Sequence, residues 1–159
     1  MTTDPISGGC QCGAVRFRIA KLGEPSICHC RMCQKAFGSF YAPLVTAHEL
    51  TWTRGAPKLF QSSNRVKRGF CAECGTPLTY DYGADPGIAI GALDRPELAA
   101  PAAQVCVADK QPFVDGLADL PAHPNGVDSD EARFLATIKT YQHPDTDTET
   151  WPPANAQTD

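Results

Sequence analysis

Seven of the eight cysteines in this 159-residue chain fall into short clusters. They are Cys10 and Cys12 in "CQC", Cys28, Cys30 and Cys33 in "CHCRMC", and Cys71 and Cys74 in "CAEC". In extended backbone, residues i and i+2 point to the same side. Cys10 with Cys12, and Cys28 with Cys30, can therefore each face one ion. A C-x-x-C followed by glycine, as in "CAECG", makes a tight turn whose two sulfurs converge. Tetrahedral zinc, with Zn–S near ~2.3 Å, needs such convergence from two separate segments.

Spacing leaves two pairings open. Cys10 and Cys12 can join Cys71 and Cys74, leaving Cys28, Cys30 and Cys33 as three thiolates. They can instead join Cys28 and Cys30, leaving Cys33, Cys71, Cys74 and Cys106. The short tether of the C-x-C-x-x-C run favours the first. Cys106 alternates inside "QVCVA" and reads as a small buried residue, with closure of the second site as its other role. His29 lies between two ligands on an extended stretch, so it points away from the metal and is expected to be packed or hydrogen-bonded elsewhere. His48, His123 and His143 carry no ligand spacing.

The start, "MTTDPISGGC", lacks a basic region followed by an apolar run, and no stretch reaches the ~18 apolar residues of a membrane helix. The expectation is a cytoplasmic protein whose thiols stay reduced, which favours metal over disulfides. Residues 1–80 hold 10 Lys/Arg against 4 Asp/Glu, and residues 81–159 hold 4 against 14. Seven thiolates and two zinc ions would bring the basic half from +6 to +3, so much of the excess neutralises metal clusters. With no basic tail and no aromatic–basic interleaving, the chain does not read as a nucleic-acid binder.

The elements that must position these cysteines are mostly strands. "AVRFRIA" (14–20) alternates Val15, Phe17 and Ile19 with polar residues. Further strands are expected at 40–46, 49–53, 58–62, 77–82, 87–93 and 104–108, separated by glycine- and proline-rich turns. A short helical turn is expected after Cys30. A helix over 129–141 would be capped by Asp128, with Phe134, Ile138 and Tyr141 on one face. From Gln142 the chain is polar and proline-rich and reads as a flexible tail. The expectation is one mainly-β domain over 1–141.

The blocks "CQCGAVRF", "CHCRMCQKAFGSFYA" and "FCAECGTPL", in this order, resemble the glutathione-dependent formaldehyde-activating enzyme family, which also includes centromere protein V. The resemblance runs from about Gly9 to Leu120 and ends on "ADKQPFVDGLADLP". It implies a fold of zinc-stabilised coiled β-sheets, here with one short C-terminal helix, and two zinc ions per chain. It also implies that Cys10, Cys12, Cys71 and Cys74 form a closed structural site. Cys28, Cys30 and Cys33 then hold a second, catalytic ion whose fourth position is free for water or a thiol. Where many relatives carry a histidine and an aromatic residue before the closing block, this chain has Gln104 and Phe113.

The implied activity is that of a carbon–sulfur lyase. A small thiol, glutathione in the family's case, held as thiolate adds to formaldehyde or a related aldehyde. Arg31, Lys35, Lys67 and Arg68 are candidates to receive the tripeptide's carboxylates, and Phe37 and Phe40 to wall the site. The rival reading is a non-enzymatic zinc module with two structural ions that binds a protein or nucleic acid.

Overall fold

A computed structural model describes residues 5–122 and 129–152. Its strands are β1 (Ile6–Gly9), β2 (Arg16–Ile19), β3 (Lys21–Cys28), β4 (Ala42–His48), β5 (Thr51–Arg54), β6 (Lys58–Gln61), β7 (Lys67–Phe70), β8 (Pro77–Asp81), β9 (Gly87–Ala89) and β10 (Ala103–Val105). Helix α1 spans Arg31–Phe37 and α2 spans Asp130–Ala136. The protein is mainly β, as expected.

The strands form two sheets, a three-stranded one ordered β1-β2-β5 and a seven-stranded one ordered β10-β3-β4-β9-β8-β7-β6. The chain passes from one sheet to the other three times. It crosses at Ala20, between β2 and β3, again between β4 and β5, where Glu49 takes a left-handed φ of 55°, and back between β5 and β6. These crossings bring the inner faces together, and Phe17, Val45, Leu78 and Ile88 are buried between them. All neighbours are antiparallel except β10, which lies parallel to β3 and pairs Val105 with Cys28.

Val15, Phe17 and Ile19 are buried as the alternation predicts. Arg16, on the face expected to be polar, is buried too. Its guanidinium meets Asp94 in a bidentate pair at 2.5 and 2.8 Å and also reaches Asp147. A buried charge persists only where it is paired in this way. Three strands escaped the sequence reading. β1 ("ISGG") and β7 ("KRGF") are too short to show a period. β3 carries Gly23 and Pro25, which read as breakers but lie at a register shift against β4, where a sheet tolerates them.

Two expectations fail toward the C-terminus. Helix α2 starts at a Ser129 cap, whose side chain accepts from the Ala132 N–H, and ends at Ala136. Phe134, Ile138 and Tyr141 are all exposed rather than packed on one face. Asp128 and His123 lie outside the described residues. The tail expected to be flexible from Gln142 is a strap over its described length. Its His143 is buried and donates its backbone N–H to Gln11. Asp147 joins Arg16 to Arg18, Arg54 bonds Thr148, and the Trp151 indole donates to the Cys12 carbonyl. Composition alone hid these partners because they belong to β2, β5 and the first cysteine turn. No helix among the described residues is long and apolar enough to cross a membrane.

Candidate metal centres

Two chain segments fold into tight turns, each closed at a glycine, and meet. In "CQCG", Cys10 O accepts from Gly13 N, and in "CAECG", Cys71 O accepts from Gly75 N, both near 3.0 Å. Gly13 and Gly75 have φ of 80° and 79°, a backbone that L side chains resist. The turns place the sulfurs of Cys10, Cys12, Cys71 and Cys74 within 4.8 Å of one another. Cys10 and Cys12 are 3.6 Å apart and Cys12 and Cys71 are 3.9 Å apart. A zinc tetrahedron with ~2.3 Å bonds has an edge of about 3.8 Å, whereas a disulfide needs ~2.05 Å. All eight cysteines are free thiols, and this set fits a four-sulfur ion.

Burial pushes up the Cys12 and Cys71 thiols. Burial also opposes the Cys74 thiolate, but hydrogen bonds from the Thr76 side chain and backbone and from Cys12 outweigh it and bring the thiol down to about 6. One member of the set is thus ready to ionise, and a cation is needed to ionise Cys12 and Cys71.

The second set forms where β3 runs into α1. Cys28 ends β3, and Cys30 caps α1, accepting the Cys33 N–H on its sulfur at 3.3 Å. The sulfurs of Cys28, Cys30 and Cys33 lie within 4.8 Å of one another. Cys33 is fully buried in a small cluster with Ala42, Phe37 and Leu44. Burial raises the Cys28 and Cys33 thiols. Cys30 is lowered against its own burial by the Cys33 N–H, the neighbouring thiols and the Arg68 charge. Three converging thiols fit a zinc ion whose shell the described residues leave one ligand short.

The surroundings hold this loop in place. His29 points away from the sulfurs, is completely buried, and shares a 2.9 Å hydrogen bond between Nε2 and Gln104 Oε1. Gln34, also buried, donates from Nε2 to the carbonyls of His29 and Asp109. It ties α1 to the closing segment, and the sequence reading missed it. Arg68 was considered as a receptor for substrate carboxylates. It is instead 6% exposed, with Nη2 donating to Cys33 Sγ at 3.4 Å and Nε to Ser62. Its partner in the β7–β8 register is Tyr80, whose ring lies 5.1 Å from the guanidinium. Arg68 Nη1 and His29 Nδ1 are the buried side-chain polar atoms that lack a partner among the described residues.

The remaining candidates lie elsewhere. Arg31, Lys35 and Lys67 are exposed, and Arg31 bonds Gln34 rather than facing the cluster. Phe37 packs against the middle set from the side of α1. Phe40 is exposed and stacks edge-to-face on Phe113, 4.9 Å between centroids. Cys106 was expected to be buried in a strand. β10 ends at Val105, and Cys106 turns the chain into a 3-10 segment with φ of 55°, exposed and outside the three-sulfur set. It does line a cavity of about 260 Å³ together with Cys28 and Cys33. Tyr80 and Tyr82 line the same cavity, and the alternation of "PLTYDY" would have put both on one face.

Fold and clusters together define a mainly-β protein organised around two sets of cysteines that could each hold a metal ion. The family model for glutathione-dependent formaldehyde-activating enzyme matches residues 5–109, and the chain belongs to that family. A crystal structure of a Rhodobacter sphaeroides protein resembles it with a TM-score of 0.50 at 24% identity, covering 62% of this chain and 99% of that one. That likeness bears on the fold.

Proposed function

We propose that this protein is a zinc-dependent carbon–sulfur lyase that adds a small thiol, glutathione on the support of its family, to formaldehyde or a related aldehyde. The observation that carries the reading is the difference between the two cysteine sets. One has four sulfurs and lies under the strap; the other has three and borders a cavity. Zinc at the three-cysteine set would supply a site that keeps an incoming thiol in its nucleophilic thiolate form. Cys28, Cys30 and Cys33 would be its protein ligands, and Cys10, Cys12, Cys71 and Cys74 those of the structural ion.

The chain's own groups do the rest. Arg68, against Cys33, offsets the negative charge of three thiolates and holds that sulfur in place. His29 and Gln34 fix the loop that carries Cys28 and Cys30. In the addition a carbon–sulfur bond forms, the carbonyl π bond opens onto oxygen, and that oxygen takes a proton from water. The reverse is the lyase step. The free thiols at both sets support a reducing compartment such as the cytoplasm.

Exchange NMR tests the proposal. With glutathione and formaldehyde at equilibrium, the protein should speed interconversion of formaldehyde hydrate and S-hydroxymethylglutathione at least tenfold over buffer, and Cys30→Ser should not. Equal rates with and without protein would leave the non-enzymatic zinc module as the reading.

A further inference from the structure

The cavity beside the three-cysteine set is built from one face of the seven-stranded sheet. Alternate residues of β3 (Glu24, Ser26, Cys28), of β4 (Leu44, Thr46) and of the β8 edge (Tyr80, Tyr82) all point into it. The register places Tyr80 and Thr46 on either side of Gly87, whose missing side chain leaves the floor open. A Cβ at Gly87 would meet Leu44 and Tyr80 at 3.6 Å. Val105, from the parallel edge strand β10, closes one side.

The chemistry of this lining is one-sided. It contains no lysine or arginine, and its one ionisable carboxylate is Glu24. Cys28 and Cys33 of the three-cysteine set line it as well, and Arg68, behind Cys33 and Tyr80, offsets their thiolate charge without entering the lining. The two carboxylates of a tripeptide thiol would find no cationic partner in this lining. The nearby cations, Arg31, Lys35, Lys67 and the buried Arg68, lie outside the lining. About 260 Å³ is also far more than formaldehyde needs, since a water occupies roughly 30 Å³ in the liquid.

We infer that this cavity receives the uncharged, apolar body of the carbonyl substrate, so that the aldehyde is larger than formaldehyde and bears no carboxylate. This rests on the thiol-addition reading for the reaction, but not for the binding. Leu44, Val105 and the faces of Tyr80 and Tyr82 contact the body, while Glu24 at the rim turns away anionic aldehydes. The carbonyl carbon then lies on the Cys28–Cys33 side, where the thiolate adds to it as above and the released thiol proton balances the one that the oxygen gains.

Two arms separate the binding from the chemistry. In the first, benzyl alcohol, an uncharged non-reacting analogue, is titrated into the zinc-loaded protein and followed by amide NMR. Shifts should concentrate at Leu44, Thr46 and Gly87, benzoate should cause less than a tenth of the effect, and Val105→Trp should abolish it. Val105 is 42% exposed on an edge strand, so the bulk does not threaten the core. Glu24→Gln should bring benzoate closer to benzyl alcohol. In the second arm, glutathione addition to benzaldehyde and to formaldehyde is compared. Val105→Trp should lower the ratio of their kcat/KM values at least tenfold.

Absence of shifts at those amides, or benzoate binding as well as benzyl alcohol, overturns the assignment whatever the catalysis. A ratio unchanged by Val105→Trp in an active enzyme overturns it too. Localised shifts with no turnover of any aldehyde support the cavity assignment and sink the lyase reading instead.

Discussion

Cys74→Ser will unfold the protein at ordinary temperature, whereas Cys30→Ser will melt near the parent and lose one metal ion. Both remove one sulfur from a metal set, so the contrast comes from what each set ties together. Cys12 and Cys71 are 59 residues apart in sequence, and their sulfurs are 3.9 Å apart. Between them lie β2 to β7, and thus both sheets. A structural zinc site contributes on the order of 10 kcal/mol or more of folding free energy, comparable with the ~5–15 kcal/mol that holds a whole domain. The burial-raised thiols of Cys12 and Cys71 also need the cation to justify their place in the core.

Cys28, Cys30 and Cys33 instead close a local loop at the start of α1. Serine at position 30 can still accept the Cys33 N–H, so the helix keeps its cap, worth ~1 kcal/mol. Thermal melts with zinc analysis of each variant check the pair of expectations, starting from two zinc ions in the parent. Equal collapse of both variants would make the middle set structural as well.

Arg68→Ala will weaken metal binding at the middle set by roughly 10- to 100-fold, the usual cost of losing a partner behind a ligand, and leave the four-cysteine set alone. The guanidinium is buried, donates to Cys33 Sγ and lies over Tyr80. Without it, burial, the largest influence on Cys33, is opposed only by Cys28, and burial favours the neutral thiol that binds metal poorly. Arg68→Lys keeps the charge but lacks the planar fork that reaches Ser62 and Cys33 together, so it should recover only part of the affinity. Chelator competition resolves the two ions as a weak and a tight step. Unchanged affinity of the weak step, or equal loss from both, would refute the role given to Arg68.

The cysteines made the centres legible because their chemistry is local: C-x-C and C-x-x-C spacing dictates which sulfurs can converge. Spacing left two pairings open, tether length and the family resemblance favoured the one whose sulfurs lie together here, and the sheets are what bring the turns of Cys10 and Cys71 to one place. Strand β2 was readable from the alternation of Val15, Phe17 and Ile19, and α1 from its position after Cys30. Arg68 was visible as a cation, but its role came from the β7–β8 register that pairs it with Tyr80. The strap misled for the same reason. Asp147 and His143 look solvated in sequence, and their partners Arg16, Arg54 and Gln11 lie more than 85 residues away. Cys106 shows the limit of periodicity, because a three-residue strand ends before the alternation can bury it.

The central claim is that Cys28, Cys30 and Cys33 leave one position for an outside thiol. Cobalt can replace zinc in tetrahedral sites and reports its sulfur ligands by absorption. The account predicts that glutathione will raise the sulfur-to-cobalt charge-transfer band by one thiolate per chain, in the parent and in Cys106→Ser alike, while S-methylglutathione will not. A parent spectrum already four-sulfur at both metals and unmoved by glutathione would contradict it.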